Sequence, residues 1–450
     1  MHACRGHLHS AWARRAAVAV AAFGMGFAPG APPAAASTAG SGWTVRSVPV
    51  GDGFSLSPNA FQCPGVGWCV ALGTDEDGLP VAVMLAGGAW STTDLPGAGA
   101  VGSFQGFAGL ACPKVGDCVT AFTTTKAAPS DIGTVGILEI DTYSGGTWRA
   151  KDAPLPTNAG GPTNAGGLYA NPSLSSLVCW SVGNCVAVGS YNLGQGTNVD
   201  NLAGLIETDS VGRWSAAEAP QPAGAPTLVE VKLDKVSCPR VGSCTAIGSY
   251  RPQTGFEYTF FTDQQAGSRW TTTNLPLAHE DTGNGTGMVS CQAAGDCFAL
   301  VFAGTDGLYA ESGGTWAKTR PAPNFNAVNV TCPPTGSCVS VSESGVIATR
   351  VDDGWALTRP PASLFGSGTC PAPGACTLVL LTVAPASAGE RWAGQGVPLV
   401  ATQSGGLWSF KVLLANVDRS SAVSCPAVGK CVAIWIGGTR GDVVVASHLG

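Results

Sequence analysis

The sequence predicts an all-β protein, a single β-propeller of eight four-stranded antiparallel blades, with seven blades as the alternative. Glycine and proline, with 63 and 31 copies among 450 residues, occur too often for long helices but suit turns between short strands. A cysteine pair and a tryptophan alternate along the chain about every 52 residues, a period typical of propellers and solenoids. Because 45% of the residues are hydrophobic and only 12% are charged, the chain can also bury a large core.

The cysteine spacing is the strongest sign of a repeat. Seventeen cysteines are present, and all except Cys4 fall into eight pairs. Each pair encloses five residues, and the fourth residue after the first cysteine is always glycine. The pairs are Cys63 and Cys69, Cys112 and Cys118, Cys179 and Cys185, Cys238 and Cys244, Cys291 and Cys297, Cys332 and Cys338, Cys370 and Cys376, and Cys425 and Cys431.

We interpret these pairs as structural disulfides that cross-link tight hairpins, with the glycine in a turn that needs a positive φ. Metal binding is the alternative interpretation. Zinc sites usually pair cysteines at closer spacing and often include histidine, whereas the chain after its leader has only His279 and His448. We therefore expect no metal and no cofactor.

The second marker is a tryptophan that follows a glycine by one to three residues. Its eight copies are Trp43, Trp90, Trp148, Trp214, Trp270, Trp316, Trp355 and Trp408. A large aromatic side chain that recurs at one position in every repeat is expected in the core between blades.

One repeat, taken strand by strand, favours a propeller over a solenoid. Around Cys238, the pattern predicts strands over residues 229–238, 244–248, 256–262 and 270–275. Four short antiparallel strands per repeat form a propeller blade. The chain begins its repeats with an isolated fourth strand at residues 43–48 and ends with a strand at 443–446. We therefore expect the N-terminal strand to complete the last blade and close the ring.

The first residues have the layout of a secretory signal peptide. Arg5, Arg14 and Arg15 precede an apolar stretch over residues 16–28, and alanines at 34–36 supply a cleavage site. The adjacent arginines leave twin-arginine export open as an alternative. The stretch is too short to span a membrane, and no other apolar run is long enough.

The predicted organisation is therefore a signal peptide over residues 1–36 and one propeller domain over residues 37–450. Removal of three arginines with the leader changes the formal net charge from −6 to −9. This acidic balance argues against nucleic-acid binding. We expect a secreted monomer without a membrane span.

Residues 141–148, 208–214 and 262–270 each place an aspartate and a glycine ahead of the repeated tryptophan. They resemble degenerate Asp-boxes, roughly Ser/Thr-x-Asp-x-Gly-x-x-Trp, which mark the turn between the third and fourth strands of sialidase-like propellers. The combined cysteine and tryptophan repeat also resembles that of exported bacterial propeller proteins. The resemblance implies a fold, matches no specific enzyme family, and does not by itself fix a function.

The connections divide into two kinds, at opposite ends of each blade. The hairpin end carries the cysteine-pair turns and the turns before the repeated tryptophan, which have nearly constant length. The loop end carries the links between second and third strands and between blades. There the spacing varies from 15 residues (Trp355 to Cys370) to 31 residues (Trp148 to Cys179). Because function concentrates in variable loops on a rigid scaffold, we assign binding to the loop end.

The candidate binding residues are aromatic and charged side chains of these loops: Tyr191, Tyr250, Arg251, His279, Glu280, Asp281, Glu390, Arg391 and Trp392. Trp392 lies outside the repeat, which makes it a candidate surface for stacking a sugar. Residues 75–77 are expected to form an acidic solvated turn, with weak calcium binding as the alternative.

Two classes of function remain open. The first is a non-enzymatic propeller that binds an extracellular glycan or protein, either as a recognition module or as an adhesive surface protein. The second is a sialidase-like hydrolase or a polysaccharide lyase that uses the same end. Arg251, Arg391 and Arg440, with Tyr191 or Tyr250, could serve a sialidase-like site, but no motif selects them. We assign no catalytic residue, and binding without turnover is the leading hypothesis.

Overall fold

The computed structural model describes most of the chain after the predicted leader. The described residues are 42–48, 54–99, 103–127, 134–160, 170–193, 201–222, 228–252, 258–276, 286–302, 307–333, 337–352, 354–360, 364–383, 396–413, 417–437 and 443–448. The predicted signal peptide lies outside them. Within these ranges the chain forms 32 strands and a 3-10 helix, Pro96–Gly99, but no α-helix, so the all-β prediction is confirmed. No helix in this part has the length and hydropathy needed to cross a membrane.

The strands form eight units of four, and each unit contains one cysteine pair. Unit 1 contains β2 (Ser55–Gly65), β3 (Trp68–Thr74), β4 (Pro80–Ala86) and β5 (Ala89–Asp94). Unit 2 contains β6 (Phe104–Lys114), β7 (Asp117–Ala127), β8 (Thr134–Ser144) and β9 (Thr147–Asp152). Unit 3 contains β10 (Ser173–Ser181), β11 (Asn184–Asn192), β12 (Leu202–Ser210) and β13 (Arg213–Glu218). Unit 4 contains β14 (Leu228–Arg240), β15 (Ser243–Pro252), β16 (Thr259–Ala266) and β17 (Arg269–Asn274).

The remaining units repeat this order. Unit 5 contains β18 (Thr286–Ala293), β19 (Asp296–Phe302), β20 (Gly307–Ser312) and β21 (Thr315–Thr319). Unit 6 contains β22 (Ala327–Thr331), β23 (Val339–Ser342), β24 (Ile347–Val351) and β25 (Gly354–Thr358). Unit 7 contains β26 (Leu364–Ala372), β27 (Ala375–Val383), β28 (Gly396–Ser404) and β29 (Leu407–Val412). Unit 8 combines β30 (Val417–Ala427), β31 (Lys430–Gly437) and β32 (Val443–His448) with β1 (Trp43–Val48).

Neighbouring strands of each unit pair antiparallel, which gives seven sheets in the described part of the chain. Six sheets have four strands and correspond to single units. The seventh has eight strands and contains units 3 and 4, because one parallel bridge joins Leu202 to Glu230. Each unit is therefore a four-stranded antiparallel sheet in its own right, as the strand pattern predicted.

The two sequence markers meet in one row across the strands. In unit 3, Cys185 lies opposite Asp209, and Asp209 lies opposite Trp214. Units 1, 2 and 8 have the same register, with Leu85, Tyr143 and His448 between the second cysteine and the tryptophan. This shared register explains why cysteine pair and tryptophan recur together in the sequence.

The cysteine pairs are disulfides, as predicted. All eight have Cα–Cα distances of 4.0–4.2 Å. Seven of the turn glycines have φ between 62° and 82°, a region in which only glycine is unstrained: Gly67, Gly116, Gly183, Gly242, Gly295, Gly374 and Gly429. Gly336 lies outside the described residues.

Among the described residues the hydrophobic core is divided into eight clusters, and each cluster is shared by two units that follow one another. One cluster joins unit 1 to unit 2, and equivalent clusters join every later pair. The last cluster contains residues of units 8 and 1. Every repeated tryptophan belongs to the cluster shared with the preceding unit, which agrees with its predicted place between blades.

Hydrogen bonds between first strands hold neighbouring hairpins at the same level. The N–H of a first cysteine donates to the side chain that precedes the first cysteine of the previous unit. The bonds are Cys63 N to Ser424 Oγ (2.9 Å), Cys112 N to Gln62 Oε1 (2.7 Å), Cys291 N to Ser237 Oγ (3.0 Å) and Cys332 N to Ser290 Oγ (2.9 Å). The first of these joins unit 8 to unit 1.

The N-terminal strand completes the last sheet. β1 pairs antiparallel with β32 in an unbroken register from Trp43 opposite His448 to Val48 opposite Val443. Trp43 also packs in the cluster shared by units 7 and 8. The predicted pairing of the first and last strands of the repeat region is therefore present.

One detail of the sequence analysis was wrong, and the Asp-box resemblance stays a prediction. The third strand of unit 4 continues to Ala266, beyond the expected end at Thr262, because Asp263 and Gln264 pair with both neighbouring strands and the next two residues pair with β17. The three Asp-box-like segments are also not equivalent. All three aspartates lie inside third strands and are buried, but only Asp209 accepts backbone hydrogen bonds from the following turn, at Gly212 and Arg213.

Candidate functional site

Only part of the predicted loop-end site lies in the described residues. Tyr191, Tyr250 and Arg251 can be placed, while six candidates lie outside: His279, Glu280, Asp281, Glu390, Arg391 and Trp392. Arg440 lies outside as well. The structure does bring polar groups together at the loop end, in units 3, 4 and 5.

The rings of Tyr191 and Tyr250 are buried rather than offered to a ligand. The Tyr191 hydroxyl donates to Asn158 Oδ1 at 2.8 Å and lies 3.4 Å from Glu218 Oε2. Burial, together with the negative charge of Glu218, raises the pKa of this hydroxyl. The Tyr250 ring packs against Phe261, with 6.0 Å between ring centroids. Both tyrosines are therefore part of the core next to the loop end, and their rings are not exposed for a ligand to contact.

Arg251 belongs to a cluster centred on the Glu230 carboxylate. Arg251 Nε lies 3.3 Å from Glu230 Oε2, and the Tyr258 hydroxyl donates to the same oxygen at 2.7 Å. Lys232 Nζ lies 3.6 Å from the other carboxylate oxygen and 5.1 Å from the centre of the Tyr258 ring. Burial and then the hydrogen bond to Glu230 raise the pKa of Tyr258. With two cations around one carboxylate, the cluster carries a net positive charge.

A pocket of about 200 Å³ opens at the loop end between units 5 and 6. Its basic side chains, Lys318 and Arg320, lie at and just after the end of β21. Asn324 and Asn326 line it from the link that leads into β22. None of its nine described lining residues is acidic. Two cations and two amides in one concave site suit a carboxylate, sulfate or phosphate group, which accepts charge-assisted hydrogen bonds.

Local geometry shapes the wall that carries the two asparagines. Asn324 has φ of 62°, a left-handed conformation that asparagine tolerates better than most residues. The carbonyl of Asn326 accepts a hydrogen bond from Glu343 N at 2.9 Å, which ties the link to unit 6. The Lys318 ammonium lies 5.9 Å from the centre of the Tyr309 ring, so its aliphatic stem follows β20.

The sequence analysis missed this pocket. It searched the variable loops for aromatic and charged residues, while Lys318 and Arg320 follow a core tryptophan in what the repeat marks as a fourth strand. The signal that could have found them is the pair of basic residues directly before a Pro-Ala-Pro link.

Two grooves between units at the outer strands repeat one geometry. A groove of about 390 Å³ lies between units 1 and 2, and one of about 380 Å³ lies between units 2 and 3. Trp148 lines the first and Trp214 the second, while Tyr143 and Asp209 take equivalent positions. Their linings differ, so the repeated grooves follow from the packing of the units.

The acidic turn at residues 75–77 is organised by its own hydrogen bonds. Asp75 Oδ1 accepts from Asp77 N at 3.0 Å and from Leu79 N at 2.8 Å. The described residues contain no group of three or more His, Cys, Asp or Glu side chains placed to hold a metal ion.

The sequence matches no protein-family model, and no curated protein is similar to it. Solved structures similar to this chain include β-propellers of low sequence identity. YCF48 bound to a D1 peptide is 12% identical over 91% of this chain and 96% of that chain, with a TM-score of 0.43. The β-propeller domain of the Trilobed protease from Pyrococcus furiosus is 10% identical over 81% and 99%, with a TM-score of 0.46. The WD40 domain of SCAP from fission yeast is 9% identical over 91% and 98%, with a TM-score of 0.45.

Proposed function

We propose that the chain is an exported, eight-bladed propeller that binds an acidic extracellular glycan or protein at its loop end, without chemical turnover. The observation that carries the binding proposal is the pocket of Lys318, Arg320, Asn324 and Asn326. Its lining offers several hydrogen-bond donors and two positive charges, which match an anionic group on a ligand.

The architecture in this proposal rests on the packing of the units. Eight four-stranded units and eight shared core clusters support eight blades over seven. The cluster shared by units 8 and 1 and the pairing of β1 with β32 support a closed ring. Eight disulfides are compatible with an extracellular protein, since such bonds persist in oxidising compartments.

Binding is tested with purified protein and a panel of uronate and sulfated polysaccharides, sialosides and acidic peptides. The double variant Lys318→Ala/Arg320→Ala should lower affinity for an anionic ligand at least about tenfold, because each charge-assisted hydrogen bond contributes about 1.5–3 kcal/mol. Arg213→Ala/Arg269→Ala removes the same charge at the hairpin end and should leave affinity unchanged. Equal losses of affinity in both variants would mean that the net charge of the protein, and not the pocket, governs binding. Absence of binding to every anionic ligand would contradict the proposal.

The enzymatic alternative is tested by product analysis on the same panel. The Arg251 guanidinium forms an ion pair with the Glu230 carboxylate, so it is not positioned to bind a substrate carboxylate. Sustained release of product that is abolished by Arg251→Ala or Arg391→Ala would show that the chain is an enzyme and would contradict binding without turnover.

A further inference from the structure

The hairpin end carries an unusual set of exposed valines. In five cysteine-pair hairpins the residue just before the turn glycine is valine, and its exposed fraction lies between 46% and 65%: Val66, Val115, Val182, Val241 and Val428. Units 5 and 7 have Ala294 and Pro373 at this position. The turn itself requires only the glycine, so the fold gives no reason for an apolar side chain in water.

These five valines lie at the hairpin tips of five consecutive units, and we call this set the apolar crescent. They belong to units 8, 1, 2, 3 and 4, which pack in that order. A methyl group placed on Gly65 would lie 2.5 Å from Val115 Cγ2, so the hairpin tips of units 1 and 2 touch. Val211, 91% exposed, adds to the crescent beside Val182, because its N–H donates to Gly183 O at 2.6 Å.

The tips are also level with one another. The hairpins have the same length, and the bonds from Cys63 N to Ser424 and from Cys112 N to Gln62 fix their heights across three units. The apolar tips of the crescent can therefore contact one flat surface together. An exposed apolar patch of this kind marks an interaction surface, whereas single exposed valines do not.

The charges around the crescent are mainly positive. The five hairpins contain Lys114, Arg240 and Lys430 but a single acid, Asp117, which lies 3.3 Å from Lys114. The adjacent turns add Arg213 and Arg269, both exposed. Since the chain as a whole has a net charge of −6, the surroundings of the crescent are a basic area on an acidic protein.

We propose that the apolar crescent docks on an anionic lipid bilayer, with the valines entering the headgroup region and the basic side chains contacting lipid phosphates. A planar set of apolar tips flanked by cations fits such a surface. A second copy of this chain fits less well, because it would bring the same basic side chains against each other. This proposal concerns the end opposite to the proposed ligand pocket and does not depend on it.

Sedimentation with vesicles tests the proposal. The full mature chain should bind vesicles of phosphatidylcholine and phosphatidylglycerol but not vesicles of phosphatidylcholine alone, and added salt should weaken binding. The triple variant Val66→Ser/Val115→Ser/Val241→Ser should lower partitioning about tenfold or more, since binding scales with buried apolar area. The matched control Leu79→Ser/Leu155→Ser/Val412→Ser changes three exposed apolar residues at the loop end and should bind as the unaltered chain does.

A charge variant and a measurement of self-association complete the test. Arg240→Glu should weaken binding to the anionic vesicles without affecting thermal stability. Failure of the unaltered chain to bind anionic vesicles, or equal binding by the triple valine variant, would overturn the proposal. Self-association in the absence of lipid that the triple valine variant abolishes would assign the crescent to a second copy instead.

Discussion

At the scale of single residues, three buried acids occupy equivalent positions in consecutive units. Asp141, Glu207 and Asp263 lie on the third strands of units 2, 3 and 4, two residues before the row that contains the tryptophan. Asp141 Oδ2 accepts from Gly97 N at 3.4 Å, and Asp263 accepts from Thr272 Oγ1. Neither oxygen of Glu207 has a hydrogen-bond partner among the described residues. Burial raises their pKa values to about 6, about 8 and about 7, respectively.

In the variant Glu207→Gln, the free energy of unfolding should fall less as pH rises than it does in the unaltered chain. A carboxyl whose folded pKa is about 8 keeps its proton in the native state, while the unfolded chain releases it above its ordinary pKa. The native state therefore binds more protons, and stability falls as pH rises from the ordinary pKa towards about 8. The amide removes this contribution, so the variant should gain stability relative to the unaltered chain between about pH 5 and about pH 8.

Urea unfolding at a series of pH values measures this difference. Glu343→Gln changes an exposed glutamate and provides the control. A constant difference between Glu207→Gln and the unaltered chain at every pH would mean that Glu207 is ionised in the native state.

At the scale of elements, the disulfide hairpin is the repeated unit of construction. Each disulfide closes the same short loop, and each turn glycine among the described residues adopts the positive φ that the spacing implies. The sequence predicted this element because two cysteines and a glycine at fixed spacing allow few backbone solutions. It also predicted the tryptophan contacts between units, since a large aromatic residue in every repeat must be buried against a neighbour.

Removal of one disulfide tests how much a single hairpin contributes. Cys238→Ala/Cys244→Ala should lower the free energy of unfolding by about 2 kcal/mol, the chain-entropy value for so short a loop. Chemical unfolding measures it, and the same variant compared with the unaltered chain after complete reduction serves as the control. A loss that persists unchanged after reduction would come from packing of Cys244, which is buried, and not from the covalent link.

The site was less predictable than the hairpins, and the reason is also local. Sequence patterns place Tyr191 and Tyr250 beside variable loops, but they do not show that both rings turn into the core. Lys318 and Arg320 escaped notice because their chemistry depends on the link of the next unit, which supplies Asn324 and Asn326. Contacts between units are long-range, whereas the repeat describes each unit alone.

At the scale of the whole molecule, the pairing of β1 with β32 joins the two ends of the repeat region. Without β1, β32 would lose its outer neighbour and expose a row of unpaired backbone groups. The cluster shared by units 7 and 8 would also lose Trp43, which is 8% exposed. In the proposed ring, this one strand therefore protects an edge and completes a core.

A chain that begins at residue 49 should be less stable and should self-associate. Loss of β1 removes both the strand pairing and the Trp43 side chain, and an open strand edge is a template for pairing with other chains. Differential scanning calorimetry should show a lower unfolding temperature, and light scattering should show oligomers.

The full-length variant Trp43→Ala separates the loss of core packing from the loss of strand pairing. It should cost about 3–5 kcal/mol through lost packing but remain monomeric, because its edge is still covered. A peptide of residues 42–48 added to the truncated chain should restore the unfolding temperature and the monomer. If the truncated chain instead unfolds at the original temperature without oligomers, β1 does not hold the ring closed, and the closed-ring proposal fails with it.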